Sequence, residues 1–230
     1  MSVLHLVRHG QAAFGTENYD QLTPLGIEQC AQLARHWSGL GRPEPLLFTG
    51  RLIRQRDSAE AFARSLGEVT GHRPAVSMVD DLEEYDHATL LREYAIRYRE
   101  DTDLAALNRD HRAFHLLIRQ ALERWAAGDL RNFEPYGAFR DRCATALRQL
   151  MQQVGRGKTA LVFGSAGSLA AAIQPILGLG DWDLLRLKLN FFNTGVTRVL
   201  FNSAGAAVVE SINALPHLEQ PGLSRLITQR

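Results

Sequence analysis

Lysine is nearly missing from this chain: of its 26 basic residues only Lys158 and Lys188 are lysines, and all the others are arginines. Those cations face 25 carboxylates, which leaves a net charge of +1. Without a basic excess there is no electrostatic footprint for nucleic acid or an acidic membrane surface. Cysteine is scarce too. Cys30 and Cys143 stand far apart and outside any metal-ligand spacing, which argues against a disulfide scaffold and a zinc module. No window approaches the ~20 apolar residues of a membrane span. The apolar stretch after Met1 is too short, and too soon charged at Arg8, for a signal peptide. These absences leave a cytoplasmic globular protein as the expectation. At 230 residues, 45% of them hydrophobic, the chain is long enough for one domain with a substantial core and is no disordered segment.

Short apolar runs alternate with longer helical patterns, which predicts an α/β fold. Val3–Val7, Leu46–Thr49, Val76–Val79 and Thr159–Phe163 read as strands, the last a continuous apolar run of the kind buried on both faces. Thr23-Pro24 reads as an N-cap followed by proline at the first helical position, with Ile27, Ala31 and Ala34 repeating at helical spacing. Leu52–Leu66 predicts a second helix, and Leu169, Ile173 and Ile176 a buried one ending near Gly178. Val196–Phe201 and Ala206–Val209 flank Asn202-Ser203-Ala204-Gly205 and predict a hairpin at the sheet edge. Residues 88 to about 150 carry no strand signal. Within them, 92–142 holds ten arginines and nine acidic residues. The expectation is a single domain over residues 1–230, a three-layer sandwich with a central, mostly parallel sheet and a helical cap insertion at about 88–135. A final helix with Phe139, Cys143, Ala146, Leu147, Leu150 and Val154 on one face returns to the core. There is no internal repeat.

In an open parallel sheet, ligands bind beyond the carboxyl ends of the strands. After the first strand comes Arg8-His9-Gly10-Gln11, and after the second Thr49-Gly50-Arg51-Leu52-Ile53-Arg54. After the third come Asp80, Asp81, Glu83, Glu84, Asp86 and His87, and after the fourth Gly164-Ser165-Ala166-Gly167-Ser168 at a helix start. Arginine forks and free backbone N–H groups are what a phosphoryl group needs. A histidine beside them can serve as nucleophile, and one of the carboxylic acids can protonate the leaving oxygen.

Leu6-Val7-Arg8-His9-Gly10-Gln11-Ala12 resembles the signature of the histidine phosphatase superfamily, the phosphoglycerate mutase-like fold. Further segments agree in order. Tyr19–Gln29 resembles the family's next segment, and Arg54 stands four residues before Ser58-Ala59, like the family's second arginine ahead of its threonine-alanine pair. Leu82-Glu83-Glu84-Tyr85-Asp86 resembles the acid segment and puts the proton donor at Glu84, with Glu83 and Asp81 as its competitors. Asn213–Leu218 resembles the closing asparagine and His-Leu pattern. The resemblance implies a phosphomonoester hydrolase acting through a phosphohistidine at His9, without cofactor or metal, on a small phosphorylated substrate. Arg8 and Arg54 would bind the phosphoryl group, helped by Ser165 and the Ala166 amide, and Thr16 and Asn18 sit where the family's first loop approaches it. One departure stands out. Counting back from Leu177-Gly178-Leu179 places Ser165 where the family carries a second, phosphate-binding histidine.

That departure supports a rival reading, a phospho-ligand-binding or regulatory protein with little or no turnover. A third reading takes Gly164-Ser165-Ala166-Gly167 as part of a serine-hydrolase elbow, followed in order by Asp181 or Asp183 and His217. It leaves the Arg8-His9-Gly10 cluster unexplained, and Phe163 stands where the tight turn wants a small residue. Ser165 could also be a plain N-cap. His5, alternating with apolar neighbours, reads as a core residue, and His87, His111 and His115 as surface or cap-helix residues. Neither the individual substrate nor the oligomeric state is readable from the chain.

Overall fold

The computed structural model describes residues 1–13, 20–98 and 111–229. Its sheet has six strands: β1 (Ser2–Arg8), β2 (Leu46–Thr49), β3 (Val76–Met78), β4 (Thr159–Gly164), β5 (Val196–Phe201) and β6 (Ala207–Ala214). They lie in the order β3-β2-β4-β1-β5-β6. The β1–β4, β2–β4 and β2–β3 pairs are parallel, and the β5–β6 hairpin adds two antiparallel pairings at the β1 side. Among the described residues the helices are α1 (Pro24–Gly39), α2 (Ile53–Thr70), α3 (His87–Tyr98), α4 (His111–Ala126), α5 (Tyr136–Val154), α6 (Ala166–Leu177) and α7 (Asp181–Lys188). No helix of the described residues is long and apolar enough to cross a membrane.

The two central strands are apolar on both faces, and their alternation divides the core. Leu4, Leu6 and Val162 enter one cluster with Phe139, Leu147 and Leu150 of α5 and Leu169 and Ile173 of α6. Val7, Leu161 and Phe163 enter the other with Leu33 and Trp37 of α1 and Phe62 and Leu66 of α2. Each such side chain contributes about 1.5–3 kcal/mol by leaving water, so both faces need a helical layer. The sandwich and its mostly parallel sheet follow from that requirement.

Helix starts are set by polar side chains. The Thr23 hydroxyl accepts from the Gly26 amide at 3.1 Å, with Pro24 opening α1. At α2 the cap comes from a distant residue: the Asp20 carboxylate accepts from the amides of Ile53 and Arg54 at 2.8 and 3.3 Å. His5 is a neutral core residue. A guanidinium can only donate, so the 3.4 Å contact from Arg42 Nη1 requires a bare Nε2. Burial, then Arg198 and Arg42, holds its pKa down at about 3.

Two elements run further than the sequence expectation, and one helix is added to it. The second helix runs to Thr70, where Gly71 closes it at φ 79°. The last strand runs past Val209 to Ala214, because an edge strand tolerates Glu210, Ser211 and Asn213. Helix α7, only eight residues long, was not anticipated.

Candidate active site

The carboxyl ends of β1, β2 and β4 open onto a cavity of about 130 Å³ lined by Arg8, His9, Arg54, Glu84, Tyr85, His87, Ile118, Ser165, Ala166 and Lys188. Of the residues singled out in the sequence, Arg8, His9, Arg54, Glu84, Ser165 and Ala166 all meet here. Thr16 and Asn18 lie outside the described residues.

The loop carrying His9 is fixed from three sides. The His9 amide donates to the Gly164 carbonyl at 2.8 Å, extending the β1–β4 ladder. Asn193 Nδ2 donates to the His9 carbonyl at 3.2 Å. The Gly10 amide donates to Ser58 Oγ at 2.9 Å, and that hydroxyl donates to the Arg54 carbonyl at 2.6 Å. The loop also lies against α1 so closely that a Cβ on Gly10 would stand 2.5 Å from the Gly26 carbonyl oxygen. Glycine is required there by close approach alone.

The His9 ring is 2% exposed, and its Nδ1 stands 2.7 Å from the Gly10 carbonyl oxygen. A carbonyl can only accept, so Nδ1 carries the proton and Nε2 keeps its lone pair. Burial, then the charges of Arg8 and Arg54, hold the His9 pKa well below the ordinary imidazole value, against the opposite pull of the Gly10 bond. The ring is therefore a neutral base at pH 7.

Arg8 Nη1 donates to the carbonyls of Phe191 and Gln229, the latter at 3.0 Å. The loop that supplies Phe191 is pinned by Asn213, which accepts from the Phe192 amide at 2.8 Å and donates to the Asn190 carbonyl at 2.9 Å. That is what the closing asparagine of the sequence does in the fold. Arg54 pairs with Asp20 at 2.8 Å, so one carboxylate caps α2 and orients the guanidinium opening it.

Glu84 lies at the N-terminus of α6, where its Oε2 accepts from the Gly167 amide at 2.7 Å and its Oε1 from the Tyr85 amide at 3.1 Å. Glu83 and Asp81 are exposed and do not line the cavity. Tyr85 seats the turn, its ring packing 4.8 Å from Trp125 and 5.7 Å from Phe139, centroid to centroid.

Ser165 occupies the N-cap position of α6, yet its hydroxyl makes no capping bond. It accepts instead from Gln55 Nε2 at 2.8 Å, and at 2% exposure it is buried. The serine-hydrolase triad is not assembled. His217 Nε2 stands 2.8 Å from Thr194 Oγ1, and Asp181 is held by Arg140 and Gln174 at 3.0 and 2.6 Å.

His87, expected as a surface or cap-helix residue, opens α3 and is half-buried in the cavity wall, its pKa lowered by burial and then by Arg54. Lys188, Tyr85, Gln55 and Asp20 are site residues that sequence reasoning did not single out. For Lys188 the available signal was its rarity.

A profile of the histidine phosphatase superfamily (branch 1) matches residues 4–214. The chain belongs to that superfamily. A 2,3-bisphosphoglycerate-dependent phosphoglycerate mutase of Chelativorans sp. (strain BNC1) is 26% identical over 204 residues, spanning 81% of this chain and 86% of the relative. Two solved structures of like fold are the Entamoeba histolytica phosphoserine phosphatase in complex with phosphoserine and Bacillus stearothermophilus YhfR. The first has a TM-score of 0.66 at 19% identity and the second 0.68 at 16%, each covering 95% of this chain and 100% of its own. At such identities these structures speak for the histidine phosphatase fold alone.

Proposed function

We propose that the protein is a phosphomonoester hydrolase that works through a phosphohistidine at His9 on a small phosphorylated metabolite, with Glu84 as acid and base. The observation that carries this reading is the His9 tautomer: a buried neutral ring, its Nδ1 proton anchored on Gly10, beside two guanidiniums and a carboxyl group. The Nε2 lone pair attacks phosphorus as the bond to the leaving oxygen breaks, and Glu84 gives that oxygen its proton. Water then attacks the phosphohistidine, Glu84 takes a proton back, and the N–P bond breaks to return neutral His9 and inorganic phosphate. Arg8, Arg54, the Ser165 hydroxyl and the Ala166 amide hold the equatorial oxygens, so the charge is met without a metal ion. The phosphoserine complex of the Entamoeba relative supports a small phosphorylated ligand.

The test is a panel of phosphorylated metabolites and nitrophenyl phosphate, assayed in chelator, with rapid-quench labelling. Turnover and an acid-labile, alkali-stable phosphoenzyme are the expected results. Tight phosphate binding with neither turnover nor label would favour the reading of a phospho-ligand-binding protein, whose support is the neutral Ser165.

Gly167→Ala provides a further check. A Cβ there would stand 2.2 Å from Glu84 Oε1 and 2.7 Å from a Tyr85 ring carbon. The carboxyl group must then leave the helix end. Hydrolysis of alkyl phosphates should fall about 10²-fold, the scale of a displaced general acid, while the circular dichroism spectrum stays that of the wild type. An unchanged rate would show that Glu84 is not held for chemistry by this contact.

A further inference from the structure

The cavity wall contains a cation that neither the motif nor the mechanism above uses. Lys188 ends α7 and is 8% exposed. Its Nζ donates to the Tyr85 hydroxyl and lies 4.7 Å from the centroid of that ring. No carboxylate of the described residues stands within ion-pair distance of it. An ammonium group has three protons to give, and burying it beside one phenol oxygen and an aromatic face is unfavourable without an anion. Burial outweighs the nearby Glu84 charge and brings its pKa down to about 8. The same wall carries Arg8 and Arg54. Arg54 has its own carboxylate in Asp20, and Arg8 is bonded to main-chain carbonyls. With Lys188 added, positive charge exceeds the single carboxylate of Glu84, which is the balance a phosphate dianion would complete.

Across the cavity Ser165 contributes only a neutral hydroxyl, tethered to Gln55. We propose that Lys188 is a phosphate-binding residue of this site, its ammonium group supplying the cationic contact that Ser165 does not. Three residues beyond it, the Phe191 carbonyl holds Arg8, so the end of α7 both presents one phosphate cation and orients another. On the ligand's arrival Nζ exchanges the phenol for phosphoryl oxygens, a short swing for a four-carbon stem. The expected catalytic consequence rests on the hydrolase reading; the expected binding consequence does not.

The experiment measures inorganic phosphate binding by calorimetry to the wild type, Lys188→Met, Lys188→Arg and, as a control, Lys158→Met, whose lysine is exposed and away from the cavity. Lys188→Met should bind phosphate at least about 10-fold more weakly, as expected for a lost charge-assisted contact, and Lys158→Met as the wild type does. If the wild type turns over, Lys188→Met should lower kcat by about 10²–10³-fold. Wild-type affinity should also decline as the pH rises from 8 to 9.5, where Lys188 of the free protein loses its proton. The other titratable or charged groups on the wall are Arg8, His9, Arg54, Glu84, Tyr85 and His87, so the decline is assigned by comparison with Lys188→Arg. That variant should not show it, because guanidinium does not titrate there.

Phosphate binding by Lys188→Met within twofold of the wild type would overturn the proposal. So would a wild-type affinity that is flat over that pH range, a result that needs no folded Lys188→Met. Lys188-dependent binding without wild-type turnover would reject the hydrolase reading and leave this inference standing. Normal turnover that is indifferent to Lys188 would do the reverse.

Discussion

His9→Ala should abolish both turnover and phosphoenzyme label while leaving a folded protein that still binds phosphate. Removing a nucleophile from an assembled site lowers the rate by about 10⁴–10⁶-fold. The fold should survive because the loop is held by its backbone. The His9 amide on Gly164, the His9 carbonyl on Asn193 and the Gly10 amide on Ser58 all remain when the ring is gone. Phosphate affinity should persist, since Arg8 and Arg54 are oriented by partners other than His9. A stability signature accompanies the loss. The native His9 pKa lies well below its unfolded value near 6.5. On acidification below pH 6.5 the unfolded chain therefore binds a proton that the native chain refuses, and the wild type loses stability. The variant lacks that proton uptake, so its Tm should decline less than the wild-type Tm between pH 7.5 and 5. Retained turnover in the folded variant would sink the nucleophile assignment.

How much of this site was legible follows from how each residue reaches it. Arg8 ends β1, and His9 and Ser165 stand directly after β1 and β4, whose apolar residues are buried between two helical layers, so the strand ends could be read and the residues after them followed. Arg54 was legible through its spacing to Ser58, and the fold gives that spacing a cause: one turn of α2 brings the Ser58 hydroxyl onto the Arg54 carbonyl and under the Gly10 amide. The contacts that decide the site's character are long-range. Gln55 meets Ser165 across 110 positions, and Lys188 meets Tyr85 across 103. No local periodicity encodes either. The place of His87 in the cavity was illegible for the same reason, because the rest of that wall is built from other elements.

The rivalry between Glu83 and Glu84 belongs to this class as well, since adjacent carboxylates in an acidic turn are equivalent until packing assigns one of them inward. Here the assignment comes from Tyr85, seated on Trp125 and Phe139, and from the missing side chain of Gly167, which leaves room for one carboxyl group at the start of α6. The space that carboxyl group occupies, 2.2 Å from where a Cβ would stand, explains why a glycine stands two residues after Ser165.

Glu84→Gln should separate proton transfer from positioning, because the amide keeps the shape and one acceptor oxygen. That oxygen can still receive the Gly167 N–H, which keeps the helix end in place, while the bond from the Tyr85 N–H is given up and the turn is held by the packing of the Tyr85 ring. What the amide lacks is a transferable proton. In single-turnover experiments, phosphorylation by alkyl phosphates should therefore slow by about 10²–10⁴-fold, the range of general acid catalysis. Nitrophenyl phosphate, whose leaving group needs little protonation, should lose no more than about 10-fold in that step. Dephosphorylation should slow with every substrate, because the same group is needed to take a proton from water. With nitrophenyl phosphate the variant should release about one equivalent of nitrophenol in a burst and then turn over slowly, with labelled His9 accumulating. Glu83→Gln should do none of this, since that side chain is exposed and outside the cavity wall. A leaving-group dependence that follows Glu83 instead would move the acid by one residue. A uniform loss with all substrates and no accumulation of phosphoenzyme would reduce Glu84 to a helix cap, and the source of the proton would then have to be sought among His87, Tyr85 and Lys188, the other groups of that wall that could donate one.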